Sequence, residues 1–148
     1  MKVLKKTIEI EAPIDDVWEV LTSFDKYEAW NRFTPKVETS GRLGDPVTLH
    51  VRLKETGNLR KSHLKIEHIE PYTLSWGTRN LFIEAHRTQS LSPLDSGHTL
   101  YESKEPFGGL LGRIVVWFLE ARLMRGYQWA AEGLKNQAEQ NVARKKAQ

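Results

Sequence analysis

The sequence predicts an α+β protein in which a sheet of short antiparallel strands packs against one long C-terminal helix. Between residues 37 and 105, apolar and polar residues alternate in short runs separated by turn signals, a pattern typical of strands joined by hairpins. From Leu110 to about Ala143 the apolar residues recur every three or four positions, which indicates one face of a helix on the order of 50 Å long. This face consists of Val116, Leu119, Leu123, Tyr127, Ala130, Leu134 and Ala138.

Length and composition favour a single domain over residues 1–148 with enough apolar residues for its own core. Cysteine is absent, which excludes disulfides, thiolate catalysis and cysteine-bound zinc, and agrees with a reducing cytoplasm. The net charge of +3 comes from scattered lysines and arginines, so nucleic acid is not an expected partner. Basic residues cluster only in the tail from residue 144, which is expected to fray.

The N-terminal residues, MKVLKKTIEIEAP, alternate between apolar and polar and predict a strand rather than a signal peptide. The most apolar run, Ile114 to Leu119, is far shorter than the roughly 20 residues that a membrane-spanning helix needs. Stable insertion into a membrane is therefore not expected, although contact with a membrane surface is compatible with the sequence.

The first strand is predicted over Lys2–Glu11, where Ala12-Pro13 ends it. Pro13 suits the first turn of a helix, and Asp15 and Asp16 place negative charge where the helix dipole favours it. A second short helix is expected around residues 25–30. The sequence therefore predicts two short helices between the first strand and the rest of the sheet.

Six further strands are predicted, which makes seven in total. Gly57-Asn58 and Asp95-Ser96-Gly97 are turn signals between neighbouring strands, and Pro106-Phe107-Gly108-Gly109 leads into the long helix. The six strands are expected around Val37, over 47–53, around 64–66, at 74–76, over 81–91 and over 99–105.

Four stretches, in this order, resemble the SRPBCC superfamily, which includes START lipid-transfer domains and pollen-allergen-type proteins. The similarity is greatest to its polyketide cyclase/dehydrase-like branch, and it covers nearly the whole chain. The stretches are IEIEAPIDDVWEVLTSFDKYEAWNRF, IEPYTLSW, LSPLDSGHTLYESKEPFGGLLG and GLKNQAE.

This resemblance implies a helix-grip fold, a curved seven-stranded antiparallel sheet wrapped around the long helix with a pocket between them. The two short helices would close the narrow end of that pocket. The sequence departs from the family where His-x-Phe-x-Leu is common on the long strand, because Arg87, Gln89 and Leu91 stand there. We therefore expect a pocket that is more polar at this point than in the family.

Glu105 is the candidate catalytic residue. It ends the last strand on the face of Tyr101 and Ser103, which the resemblance turns inward, and a carboxylate in an apolar pocket has a raised pKa and can act as acid or base. The alternative is structural, with Glu105 paired to an arginine or capping the backbone near Gly108-Gly109.

The other candidate residues would bind a ligand. Arg87 is expected to pair with Glu105, to bind an anionic head group, or to lie at the rim in water. Tyr101 and Ser103 either orient a ligand oxygen or fill polar positions. The full set of predicted ligand-binding residues is Trp76, Arg87, Tyr101, Ser103, Leu119, Leu123 and Tyr127.

Two further sequence features concern packing. Trp18 is expected in the core between the first helix and the sheet, and Trp30 and Phe33 near an opening of the pocket, with core packing as the default. Gly126, beside Tyr127, is expected to thin the helix wall, either for a ligand or for a bend.

No metal or cofactor is expected. The five histidines form no HExxH or similar signature, and the chain has no GxSxG sequence, no P-loop and no dinucleotide fingerprint.

The first half of the long helix has more apolar residues than one packing face requires. The favoured interpretation is that pocket and strands surround it, since a cavity needs apolar walls. The alternative is an exposed patch for membrane contact or for a homodimer. The surplus residues are Leu110, Leu111, Ile114, Val115, Trp117, Phe118 and Met124.

These observations support three functional hypotheses. The leading one is a binding protein that holds a small hydrophobic or amphipathic molecule, lipid or polyketide-like, in the cavity. The second is a cyclase/dehydratase-type enzyme with Glu105 as acid or base, and the third is a lipid-handling protein that contacts a membrane or a partner through Trp117 and Phe118.

Overall fold

A computed structural model describes residues 2–148, in which seven antiparallel strands form one sheet of order β1-β7-β6-β5-β4-β3-β2. The strands are β1 (Lys2–Ile10), β2 (Lys36–Thr39), β3 (Pro46–Val51), β4 (Arg60–Glu70), β5 (Thr73–Arg79), β6 (Glu84–Pro93) and β7 (Thr99–Gly108). The helices are α1 (Ile14–Thr22), a 3-10 helix (Phe24–Ala29) and α2 (Gly112–Ala147).

This architecture confirms the predicted helix-grip fold. Every strand pair is antiparallel, and β1 closes the sheet against β7, so the chain returns to its first strand just before the long helix begins. Between residues 2 and 148, no helix combines the length and the apolar character needed to cross a bilayer.

The structure differs from the predicted elements at several points. Strand β6 begins at Glu84 rather than at residue 81, because Asn80 Oδ1 accepts hydrogen bonds from the backbone N–H of Phe82 and Ile83 and holds residues 80–83 in a turn. The second short helix is a 3-10 helix. Helix α2 continues to Ala147, past the point where fraying was expected, and Lys145 Nζ lies 2.6 Å from Asp16 Oδ1 of α1.

Most of the buried residues of helix α2 lie in its second part, and Gly112 and Val116 are the buried residues of its first part. Beyond residue 125 its buried residues are Gly126, Tyr127, Ala130, Ala131, Leu134 and Ala138. Most of these are small, which lets the helix axis approach its neighbours. At Gly133 there is no room for a Cβ atom, since the Trp30 carbonyl oxygen occupies that position.

Gly126 explains how the helix meets the loop after the 3-10 helix. A Cβ atom at this position would collide with the ring of Phe33, which is itself buried. The space that the missing side chain leaves at Gly126 is therefore filled by a side chain of the protein itself. The same Phe33 ring packs edge-on against Tyr127 with a centroid distance of 5.7 Å.

We predict that Gly126→Ala destabilises the protein by about 1–3 kcal/mol, the usual range for overpacking a filled site. In most helix interiors the same change is stabilising, because alanine has the higher helix propensity. Chemical denaturation should report the difference.

Gly112→Ala in the same helix is the matched control, since a Cβ there meets only an ordinary contact at 3.5 Å. Combining Gly126→Ala with Phe33→Ala should remove the penalty of the alanine, as a double-mutant cycle would show. Equal stability changes at positions 112 and 126 would contradict this account.

Candidate functional site

A cavity of about 640 Å³ lies between the sheet and the first half of α2. Alternate residues of neighbouring strands face it, as expected for the inner face of a sheet. Helix α2 contributes residues four apart, Leu119 and Leu123. The apolar part of the strand lining consists of Leu49, Val51, Leu64, Trp76, Ala85 and Phe107.

The strand register places three of the lining residues in one row across the sheet. Trp76 on β5 pairs with Arg87 on β6. Glu105 follows Lys104 on β7, which pairs with Thr88, so Glu105 lies at the level of Arg87. This row, together with the Phe33 ring, forms the floor of the cavity.

Arg87 is a buried cation, only 4% exposed. Its Nε donates to Ser103 Oγ at 2.9 Å, and its Nη2 to the Tyr101 hydroxyl at 3.4 Å. The guanidinium carbon lies 4.7 Å from the centroid of the Tyr127 ring, within the range of a cation–π interaction. No ion pair among residues 2–148 includes Arg87. Neutral hydroxyls and a ring therefore hold this charge.

The Tyr101 side chain that bonds to Arg87 is itself held by a hydrogen bond. The Tyr101 hydroxyl, which receives the bond from Arg87, donates to Gln89 Oε1 at 2.6 Å. Both Tyr101 and Gln89 are buried. The chain of hydrogen bonds fixes the guanidinium at the cavity wall, so of the three alternatives for Arg87 the one that places it in water at the rim is wrong.

Glu105 accepts a hydrogen bond from the Tyr127 hydroxyl through Oε1. Burial raises the pKa of the Glu105 carboxyl, while the bond from Tyr127 and the charge of Arg87 offset part of this rise. The side chain keeps some accessible surface because it borders the cavity. Its hydrogen-bond partner is Tyr127, and not the arginine or the backbone that the structural alternative proposed.

Thr34 is a polar cavity residue that the sequence did not indicate. It is 1% exposed, and its hydroxyl has no hydrogen-bond partner within residues 2–148. Its backbone N–H is satisfied by Asn31 Oδ1 at 2.8 Å, a local turn that fixes the residue. Thr34 lies in a loop without hydrophobic periodicity, so the pattern analysis had no signal for its orientation.

The structure divides the predicted site residues into two groups. Trp76, Arg87, Glu105, Leu119 and Leu123 line the cavity. Tyr101, Ser103 and Tyr127 lie behind this lining and bond to Arg87 or Glu105.

The mouth of the cavity is formed by exposed residues of α2. Ile114 and Phe118 belong to the lining, yet Phe118 is 69% exposed and its neighbour Trp117 is 77% exposed. The interpretation in which sheet and pocket surround the first half of α2 is therefore wrong for these residues.

The outer face of the sheet carries a separate polar cluster. His86 lies between Glu67, at 2.7 Å, and Glu84, at 3.1 Å. Burial acts to lower the pKa of His86, but the hydrogen bonds to Glu67 and Glu84 outweigh it and raise the pKa. In the described part of the chain, no group of three or more His, Cys, Asp or Glu residues is arranged to hold a metal ion.

Comparisons with known proteins place this geometry in context. A family model described as "polyketide cyclase / dehydrase and lipid transport" matches residues 1–139. Among solved structures, the Zhui aromatase/cyclase from Streptomyces sp. R1128 superimposes with a TM-score of 0.78 at 20% identity, covering 95% of each chain.

A START superfamily protein from Mycobacterium smegmatis gives a TM-score of 0.72 at 18% identity, covering 93% of this chain and 97% of the other. Truncated norcoclaurine synthase from Thalictrum flavum gives 0.64 at 15% identity, covering 90% and 91%. At these identities the likeness concerns the fold. No curated protein matches the sequence.

We predict that Tyr127→Phe raises the pKa of Glu105 further, because it removes the hydroxyl that stabilises the carboxylate. Carboxyl carbon NMR titration would measure it. Tyr72→Phe is the matched control, since the Tyr72 hydroxyl donates to Asp15 on the surface.

The shift also has a consequence for stability. The pKa of Glu105 in the folded protein lies above its ordinary value of 4.5. The protonated carboxyl therefore contributes to the free energy of unfolding at low pH, and this contribution is lost as the pH rises through the folded pKa. Tyr127→Phe should deepen this loss. An unchanged pKa of Glu105 in the Tyr127→Phe variant would show that the hydrogen bond from the Tyr127 hydroxyl does not determine this pKa.

Proposed function

This chain belongs to the polyketide cyclase/dehydrase and lipid transport family, and from that premise we propose that it binds a small amphipathic molecule in the cavity beneath α2. One observation carries the proposal. The cavity has apolar walls and a polar floor, and the polar groups of that floor are held in place without a carboxylate bound to Arg87.

The cavity suits a small organic ligand in size and lining. Its volume of about 640 Å³ lies within the range of roughly 300–1,000 Å³ typical of ligand sites, which are mostly apolar with a few placed polar groups. The ligand would place its apolar part against Trp76, Leu119 and Leu123. A lipid or a polyketide-like molecule fits this description.

The floor selects for a ligand with an oxygen at its inner end. Hydrogen bonds to Ser103 and Tyr101 engage two of the five N–H donors of the Arg87 guanidinium, so donors remain for a ligand carboxylate, phosphate or carbonyl. The Thr34 hydroxyl is a second group that gains from such a ligand, since a buried hydroxyl without a partner is unfavourable.

We expect mildly purified protein to retain a lipid-like or aromatic molecule in native mass spectrometry. A fluorescent fatty acid added to delipidated protein should bind, and Trp76 should quench the fluorescence of the bound fatty acid. Thr34→Val should weaken this binding by about tenfold, the equivalent of one lost hydrogen bond to a charged group. The folded protein should not lose stability, because the hydroxyl has no partner to lose.

Thr48→Val is the matched control, because Thr48 lies on the face of β3 opposite to Leu49 and Val51, which line the cavity, and it should leave probe binding unchanged. Repeatedly empty spectra combined with no binding of the fatty acid or of apolar dyes would refute the binding function.

A second candidate function is that of a cyclase/dehydratase-type enzyme, and the raised pKa of Glu105 on the cavity floor favours it. In such a reaction the Glu105 carboxylate takes a proton from the carbon next to a ligand carbonyl. The electrons of that C–H bond move to form an enolate, whose oxygen accepts hydrogen bonds from Arg87. The enolate carbon attacks a second carbonyl of the same ligand, and the new alkoxide regains the proton from Glu105.

Glu105→Gln keeps the shape of the side chain and removes its ability to take a proton. We expect this variant to bind a poly-ketone substrate normally and to cyclise it at least about a hundredfold more slowly, the usual contribution of a general base. Turnover should be followed by the absorbance of the cyclised product.

Glu102→Gln is the matched control, because Glu102 lies on the same strand but pairs with Lys5 at 3.3 Å on the outer face. Equal turnover by wild type and Glu105→Gln would remove the catalytic role and leave the binding function standing.

The proposal includes no metal or cofactor. A cytoplasmic location remains a prediction from the sequence, and a homodimer remains one alternative for the exposed apolar residues of α2.

A further inference from the structure

Large apolar side chains are exposed around the mouth of the cavity. We call this set the apolar rim, and its members are Leu81, Phe82, Leu110, Ile114, Trp117 and Phe118. Leu81 is 73% exposed and Leu110 is 70% exposed, so most of the surface of these side chains is in contact with solvent. Soluble proteins seldom expose so many large apolar residues in one place without a function.

The topology of the sheet brings the rim together. The turn between β5 and β6 and the segment between β7 and α2 lie at the same end of the antiparallel strands. The backbone N–H of Leu111 donates to the Phe82 carbonyl at 2.8 Å, which joins the two segments. The Trp117 and Phe118 rings pack edge-on at 4.8 Å and extend the rim along α2.

The start of α2 lacks the features that usually stabilise a helix end in water. Leu111 occupies the N-cap position and provides no side-chain hydrogen bond, and the first turn has no acidic residue. It carries Arg113 instead, whose charge opposes the helix dipole there. Apolar and basic residues thus occupy positions where a helix start in water favours capping and acidic residues, as is expected at functional sites.

Basic side chains accompany the rim at this end of the sheet. Five basic residues lie in the segments at this end, and they are Lys54, Arg60, Lys61, Arg79 and Arg113. Two acidic residues, Glu55 and Glu84, accompany them. Arg60 also lines the cavity, so this charge reaches the mouth itself.

We propose that the apolar rim docks on the surface of a phospholipid bilayer that contains anionic lipids, with the mouth of the cavity facing the membrane. The rim side chains enter the boundary between head groups and acyl chains, where tryptophan is favoured, and the basic residues meet lipid phosphates. A second copy of the chain fits this surface less well. A two-fold contact through the rim would bring the same basic residues of both copies to one interface, whereas an anionic bilayer offers them phosphates.

Flotation of the full chain with vesicles tests the proposal. We expect wild type to float with vesicles of phosphatidylcholine and phosphatidylglycerol in equal parts, and less with phosphatidylcholine alone. Replacing both Trp117 and Phe118 with serine should lower the partition coefficient by about tenfold or more, since each side chain loses its burial in lipid. Arg113→Gln should weaken binding to the mixed vesicles only.

Leu43→Ser is the matched control, because Leu43 is 65% exposed in the β2–β3 loop, away from the mouth. Its vesicle binding should equal that of wild type. Thermal unfolding should show that the serine variants remain folded, as expected for exposed positions.

Three outcomes would overturn the proposal: wild type that does not float, an equal loss in Leu43→Ser, or a dimer in light scattering that the Trp117 and Phe118 replacements dissociate without any vesicle binding. Binding of the fluorescent fatty acid without vesicles is measured in parallel. If vesicle binding succeeds while native spectra stay empty and neither the fatty acid nor apolar dyes bind, the cavity function is refuted and the docking surface stands. Ligand binding without vesicle binding refutes only the docking.

Discussion

The contact between the Phe33 ring and Gly126 fixes the geometry on which the rest of the site depends. Because no side chain stands at position 126, the ring enters the surface of α2 and packs edge-on against Tyr127. This holds Tyr127 where its hydroxyl reaches Glu105 and its ring lies beside the Arg87 guanidinium. Beyond this point toward the C-terminus, small residues keep α2 close to its neighbours. Before it, the helix carries larger apolar side chains, of which Leu119 and Leu123 line the cavity.

A buried arginine without a bound carboxylate is a costly element of this arrangement. Desolvation of a cation is unfavourable, and hydroxyls and a ring face offset it less fully than an ion pair does. Glu105 lies at the same level of the sheet, yet its own hydrogen bond goes to Tyr127. The floor therefore presents a positive group and a carboxyl with a raised pKa to the same space, together with the orphan hydroxyl of Thr34. A ligand oxygen would satisfy groups that the protein itself leaves short of partners.

The sequence predicted the order of the elements and the inward face of the strands, because both follow from local periodicity. It could not predict which of the inward-facing residues line the cavity and which lie behind that lining. Tyr101, Ser103 and Glu105 alternate on one face of β7, but only Glu105 lines the cavity, whereas the other two bond to Arg87. That distinction depends on contacts with a side chain of another strand, which the periodicity of β7 does not encode. Thr34 has no periodic context, and the exposure of Trp117 depends on how far α2 stands from the sheet, which periodicity does not encode.

Floor and mouth together impose a direction on the ligand. The polar groups lie at the inner end beside Trp76, and the exposed residues Ile114 and Phe118 border the opening. Under the proposed function, an amphipathic molecule would therefore be bound with its polar end innermost. Burial of that end costs free energy unless protein groups replace its water, and Arg87 and Thr34 have hydrogen-bond donors for this purpose. The proposed docking of the apolar rim would remove apolar side chains from water at the same opening. The opposite polarity of rim and floor therefore fits one path, in which the rim meets the bilayer and the floor receives the polar end of the ligand.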